Sequence, residues 1–161
     1  MQSLFVAALL LTLFFSIHAA MERDRYQKIS PEGDELSYTA QIAAYEMAQR
    51  HSAAIQWRRE RSSYVGTLPA DQLEPYGFNE ANQSYPWVTE FFSNGVSMTY
   101  LPLENLGSLS ANSLGFQAYA LNQNPYSGLT TATGVLNSGG TVNLIHNLPA
   151  GLPVIGDVVR D

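Results

Sequence analysis

Residues 35–59, ELSYTAQIAAYEMAQRHSAAIQWRR, form the stretch of sequence that decides the fold. Small and apolar side chains recur in it at intervals of three, four and seven residues, the spacing that places them on one face of an α-helix. Because most of them are alanines, another element can approach this face closely. The stretch therefore predicts a long helix, at about residues 35–59, that lies against a sheet or a second helix. The predicted face consists of Leu36, Ala40, Ala43, Ala44, Met47, His51, Ala54 and Ile55.

The residues just before this stretch predict a break in the chain. Ser30-Pro31-Glu32-Gly33 contains a proline, which has no backbone donor, and a glycine, which costs about 1 kcal/mol relative to alanine inside a helix. Ser30 or Asp34 can then cap the new helix through a side-chain oxygen.

After residue 66 the sequence predicts a loop-rich connection and then a small antiparallel sheet between about residues 96 and 159, which makes the predicted fold class α+β. The connection, YVGTLPADQLEPYGFNEANQSYPW at residues 64–87, is interrupted by Pro69, Pro75, Gly77 and Pro86. Alternating side chains at residues 96–101 and 114–121 predict strands. Residues 129–136 and 141–145 flank NSGG, whose glycines accept a positive φ, and this arrangement predicts a hairpin.

The sequence NLPAGLPVIGDVVRD, at residues 147–161, predicts a last strand. Residues 154–159 are mostly apolar, and a terminus frays unless it is tied down, so we expect them to join the sheet. Proline cannot donate a ladder hydrogen bond and is typical of edge strands or strand starts. Pro149 and Pro153 are therefore expected outside the hydrogen-bonded ladder.

The first 21 residues, MQSLFVAALLLTLFFSIHAAM, contain no charged side chain. About 20 apolar residues suffice to span a membrane, and a secretory signal needs a basic start that MQS lacks. We therefore expect an uncleaved membrane anchor at residues 1–21, with a cleaved signal peptide as the alternative. Arg23, Arg25 and Lys28 follow and by themselves favour a cytoplasmic location for the rest of the chain, but they alternate with Glu22 and Asp24, and charge alone does not settle the orientation.

Length and charge limit the remainder of the chain. The 161 residues suffice for one domain after the anchor, at residues 22–161, and no cysteine is present. Disulfides, thiolate metal sites and thiol catalysis are thereby excluded. Between Ser62 and Val159 there is no Lys or Arg, so this part cannot neutralise phosphates, and no nucleic-acid partner is expected. The acids there are Asp71, Glu74, Glu80, Glu90, Glu104 and Asp157.

The residue types that carry chemistry form no recognisable catalytic pattern. His51 falls on the apolar helix face and is interpreted as a core histidine, while His146 has no second ligand at metal spacing. Ser62-Ser63 lack the surroundings of a nucleophile elbow, and GVLNSGG is interpreted as a hairpin turn rather than a phosphate loop. The sequence predicts no enzyme, no catalytic, cofactor-binding or metal-binding residue, no cofactor and no small-molecule substrate.

The basic cluster Arg58, Arg59 and Arg61 stands at the predicted end of the helix, where the helix dipole is negative. We interpret it as a solvated helix end. The alternative is a cluster that stacks on a partner together with Trp57 and Tyr64.

The order of features resembles the PilM family, small proteins encoded with the thin type IV pilus of conjugative plasmids and related pilus operons. An uncharged N-terminal segment is followed by the Ala-rich helix, by Gly66-Thr67-Leu68-Pro69 and by Pro86-Trp87. GVSMTYLP, a Gly/Asn hairpin and the double Leu-Pro tail come next. The break at residues 30–33 and the spacing of VIGDVV depart from the family pattern.

The resemblance implies a non-enzymatic component of the type IV pilus biogenesis apparatus, in the basal body or in pilin transport, with a role in conjugation. It also implies a single-pass protein of the bacterial inner membrane with a periplasmic C-terminal domain, and other pilus biogenesis proteins as partners. A minor pilin or pseudopilin is the rival class, but no glycine precedes Gly33 and no acid precedes Glu22, as its leader would require. The third class is a small binding protein that is secreted after signal cleavage.

Overall fold

A computed structural model describes residues 31–144 and 146–159 of the chain. Two α-helices and seven strands make up the described part, together with short 3₁₀ turns. The helices are α1 (Pro31–Arg59) and α2 (Ala111–Asn122). The strands are β1 (Gly66–Thr67), β2 (Val88–Phe91), β3 (Val96–Tyr100), β4 (Gly128–Thr130), β5 (Gly134–Asn137), β6 (Gly140–Asn143) and β7 (Pro153–Val158).

All seven strands form one antiparallel sheet in the order β1-β2-β3-β7-β4-β5-β6. The fold is therefore α+β, as the sequence predicts. The predicted membrane anchor at residues 1–21 lies outside the described residues. Among the residues that are described, neither helix has the length and apolar character required to cross a bilayer.

Helix α1 confirms the prediction of a long helix packed on a sheet. Ala40, Ala43, Ala44 and Met47 are fully buried, and they pack in one core with residues of the sheet. The helix begins at Pro31, four residues before the predicted start at residue 35. Proline is favoured in the first turn, where its missing N–H would have no helical partner, so Pro31 starts the helix instead of interrupting it.

The predicted strand at residues 114–121 is wrong, because these residues belong to α2. The Ser110 side chain accepts a hydrogen bond from the Ser113 N–H and caps the helix. Leu114 and Ala118, one helical turn apart, are buried beside Gly115, whereas Phe116 is exposed. The helical spacing of these two side chains, supported by the cap, outweighs the apparent alternation of the sequence.

Strand β7 confirms the predicted C-terminal strand and decides between the edge and the strand start that its prolines indicated. It lies in the middle of the sheet, paired with β3 on one side and β4 on the other, and not at an edge. Pro153 is its first residue and is paired with Leu129, so the expectation that this proline lies outside the ladder is wrong. The first position of a strand tolerates proline because it needs no further ladder bond there.

The remaining strands refine the prediction. The hairpin around NSGG is confirmed as β5–β6, but the predicted strand at residues 129–136 is two strands, β4 and β5, joined by a turn. The connection assigned to loops contains β1, and β2 follows it directly. Both strands were missed, since β1 is only two residues long and β2 carries Thr89 and Glu90 among its apolar residues.

Hydrophobic cores lie on both faces of the sheet. On one face, α1 and α2 pack with Phe91 and Ile155. On the other face, Val96, Met98 and Val154 pack with Leu148 and Leu152 from the segment that leads into β7. The central strands are thus covered on both sides, which explains why the first residues of β7 are all buried.

Candidate interaction surface

Helix α2 lies very close to the sheet because glycines meet at the contact. A Cβ atom placed on Gly115 would lie 2.9 Å from the carbonyl oxygen of Gly128 at the start of β4. Separations below 3.0 Å are essentially never seen for real Cβ atoms. Glycine at position 115 is therefore required for α2 to rest directly on β4.

An apolar groove of about 220 Å³ runs between α2 and the β4–β5 pair. Phe116 and Tyr119 line it from the helix, and Leu129 and Leu136 line it from the strands. Asn112, Asn137 and Ser138 complete its rim. Phe116 and Leu136 remain 55% and 46% exposed, so the groove presents large apolar side chains to solvent.

This groove belongs to a surface without charge. Residues 105–156, which include α2 and β4 to β6, contain no Asp, Glu, Lys or Arg. Protein surfaces ordinarily carry charged residues of both signs, and the centres of protein interfaces are depleted of them. We call the exposed part of residues 105–156 the uncharged face. In its lack of charge it resembles the centre of a protein interface.

A second, larger cleft of about 320 Å³ lies beside α1 and is lined by both polar and aromatic residues. Its basic group, Arg50, forms an ion pair with Glu80 and donates from Nε to Thr89 Oγ1 at 3.1 Å. The Arg50 guanidinium also lies 5.6 Å from the centre of the Phe78 ring. Because these contacts already engage its charge, Arg50 acts as a structural link. It joins α1 to the loop that carries Phe78 and Glu80 and to Thr89 of the sheet.

Glu46, one turn earlier on α1, holds the continuation of the same loop at Ser84 and Trp87. Its carboxylate accepts hydrogen bonds from the Ser84 N–H at 3.1 Å, the Ser84 hydroxyl at 2.9 Å and the Trp87 indole at 3.3 Å. Ser84 completes the Asn82-Gln83-Ser84 sequence, which fits a glycosylation sequon. In the structure these bonds fasten the loop to α1.

His51 lies in the buried layer between α1 and the sheet, as the sequence predicts for a core histidine. Its Nδ1 atom is 3.0 Å from Thr99 Oγ1, and Thr99 Oγ1 is 2.8 Å from Thr89 Oγ1. Its Nε2 atom is buried and has no hydrogen-bond partner among the described residues. Burial lowers the pKa of His51 to about 4, although the charge of Asp157 acts in the opposite direction.

His146 is also buried and also structural. Its Nε2 atom lies 3.1 Å from the carbonyl oxygen of Gly134, and its Nδ1 accepts a hydrogen bond from the Leu148 N–H at 3.1 Å. These bonds join the segment before β7 to β5. Among the described residues, no group of three or more His, Asp or Glu side chains is placed to hold a metal ion.

The basic cluster at the end of α1 differs in part from its interpretation as a solvated helix end. Arg59 and Arg61 are exposed, but Arg58 is buried and its guanidinium lies 5.8 Å from the centre of the Phe91 ring. Trp57 and Tyr64 contact each other edge to face, with ring centres 4.9 Å apart. Both rings also contact Phe91, so they pack within the protein.

Comparisons with family models, with characterised proteins and with solved structures find no match. The chemistry of the uncharged face is therefore the observation that bears on function. Sequence reasoning missed the groove, because it assigned the Phe116 stretch to a strand. The absence of charge across residues 105–156 is the sequence signal that points to this surface.

Proposed function

We propose that this chain is a non-enzymatic, inner-membrane-anchored component of the apparatus that builds a type IV pilus. Residues 1–21 are the anchor, the following domain is periplasmic, and the protein works by contact with other proteins of the apparatus. The order of sequence features shared with the PilM family supports the pilus assignment. The single observation that supports a contact role is the uncharged face with its apolar groove.

The physical case for a contact role rests on solvation. Phe116 and Leu136 are exposed, and a partner that removes them from water lowers the free energy by roughly 25 cal/mol per Å² of apolar area. A partner would bury no charged group on this face, so no charge needs to be desolvated. Contact energy here is therefore dominated by apolar packing and by hydrogen bonds to side chains such as Asn112 and Asn137.

The contact role is tested by complementation in the bacterium that encodes the chain. We expect deletion of the gene to abolish surface pili, counted by electron microscopy, and the wild-type gene to restore them. Leu136→Glu should fail to restore them, whereas Leu103→Glu, a leucine of nearly the same exposure at 45%, should succeed. Normal piliation in the deletion strain would refute the pilus assignment.

The anchor is tested separately. Leu10→Arg combined with Leu11→Arg should cost about 2.5–3.5 kcal/mol for each residue at the bilayer centre and release the protein from membranes. Leu10→Ala combined with Leu11→Ala is the matched control and should stay in the membrane fraction. Membrane association that survives the arginine pair and a high-salt wash would contradict the anchor.

A further inference from the structure

The helices cover only part of one face of the sheet. Helix α1 lies over β2 and β3, where Arg50 and His51 reach Thr89 and Thr99, and α2 packs on β7 and β4 and touches the near side of β5. On the same face, β5 exposes Leu136 and β6 exposes Thr141, its register partner. Adjacent strands are about 4.8 Å apart, so β5 and β6 together span roughly 10 Å, the diameter of one helix. We call the exposed surface of β5 and β6 on this face the helix-wide gap.

Helix α2 itself is unusual for a surface helix, since no residue on any of its sides is charged. Opposite the buried Leu114 and Ala118, it exposes Asn112, Phe116 and Ala120. Its exposed side therefore combines the large apolar ring of Phe116 with uncharged polar groups, and a partner can cover it without desolvating a charge. In the described residues α2 is covered by the sheet on one side, and its opposite side is exposed.

We propose that the occupant of the helix-wide gap is α2 of a second copy of this chain. The two α2 helices lie antiparallel about a two-fold axis, each beside its own groove and over β5–β6 of the other copy. Phe116 of one copy then faces Leu136 of its partner. A two-fold contact needs a surface that complements itself, and here the gap and the helix that fills it are neighbours on one molecule.

The charge distribution favours this occupant. The chain has a net charge of −6, so two copies repel each other where their acidic surfaces approach. Residues 105–156 carry no charge, and this is the face on which copies can meet without that repulsion. The inference rests on the contact role in the proposed function, but not on the pilus assignment.

Single cysteines test the pairing cleanly, because the chain has no cysteine of its own. The full-length protein in detergent is treated with a short thiol-to-thiol cross-linker, after mixing a tagged Phe116→Cys variant with an untagged Leu136→Cys variant. We expect cross-linked pairs between the two variants. The control mixture is Val65→Cys with Leu103→Cys, whose side chains are 55% and 45% exposed, matching Phe116 and Leu136. Equal cross-linking in both mixtures would overturn the proposal.

A charge placed in the gap tests the same pairing without cross-linking. In the Leu136→Glu variant the new carboxylate faces the partner copy. One buried, unpaired carboxylate in each copy should weaken association by about tenfold or more. Leu103→Glu should leave association unchanged. The molar mass in detergent, from sedimentation equilibrium, measures both, and circular dichroism confirms that each variant is folded. A monomeric wild-type protein, or a dimer that persists unchanged in Leu136→Glu, would overturn the proposal even if the pilus phenotype of that variant is lost.

Discussion

Acidification is expected to destabilise the folded protein through one buried histidine. Burial lowers the pKa of His51 from its ordinary value of 6.5 to about 4. Between these two values the unfolded chain binds a proton at this position and the folded chain does not. The free energy of unfolding therefore has its full value above pH 6.5 and falls as the pH is lowered towards 4.

The size of the effect follows from the width of that window. Each pH unit within it is worth about 1.4 kcal/mol, so the loss between pH 6.5 and 4 is about 3 kcal/mol. A small domain is stable by only about 5–15 kcal/mol, so the loss is a large fraction of the total. The carboxylates also titrate at low pH, and a variant is needed to isolate the contribution of His51.

His51→Gln provides that comparison, since glutamine does not titrate and its amide can still bond to Thr99 Oγ1. Urea unfolding of the full-length protein in mild detergent, at several pH values between 7 and 4, gives the free energy of unfolding of each form. We expect the wild type to lose about 3 kcal/mol more than His51→Gln across this range. Parallel pH profiles for the two proteins would refute the reasoning.

Three further predictions concern packing, each measured by the midpoint of thermal or urea unfolding. Ala44→Glu places a carboxylate in the fully buried face of α1 and should cost several kcal/mol, whereas Gln41→Glu, on the exposed side of the same helix, should change stability by less than about 0.5 kcal/mol. Gly115→Val should displace α2 from β4, because a Cβ there lies 2.9 Å from the Gly128 carbonyl oxygen, and an unchanged midpoint would show that α2 adjusts freely. Deletion of residues 152–161 removes the central strand and should abolish cooperative unfolding; a truncated protein of wild-type stability would mean that β7 contributes only as a docking peptide.

The long helix could be predicted from sequence because its pattern is local. The alanines that face the sheet recur at helical intervals, and the structure buries them as predicted. The predicted start of the helix is four residues too late, because proline and glycine at positions 31 and 33 are residues that usually interrupt a helix. Proline at the first turn of a helix costs nothing, and the cost of one glycine in a helix of 29 residues is small.

Helix α2 and the groove beside it could not be predicted from that kind of pattern. In the stretch around Leu114 and Phe116, residues of similar polarity recur at both strand and helix spacing. The choice between them depends on the Ser110 cap and on the contact of Gly115 with β4, which joins residues distant in sequence. The position of β7 could not be predicted either. It depends on pairing with β3 and β4, which lie elsewhere in the sequence, and not on a pattern within β7 itself.

The order of strands has a consequence for how the protein is made. Strands β1 to β3 form one ladder and β4 to β6 form another, and β7, which follows all of them along the chain, is the strand that joins the two. Such late, long-range pairing is slow compared with the formation of a local helix. The ribosome must therefore release the whole sheet-forming region before the sheet can close. Until β7 is available, β3 and β4 each lack a strand partner, and an unpaired strand edge is a site at which folding chains aggregate.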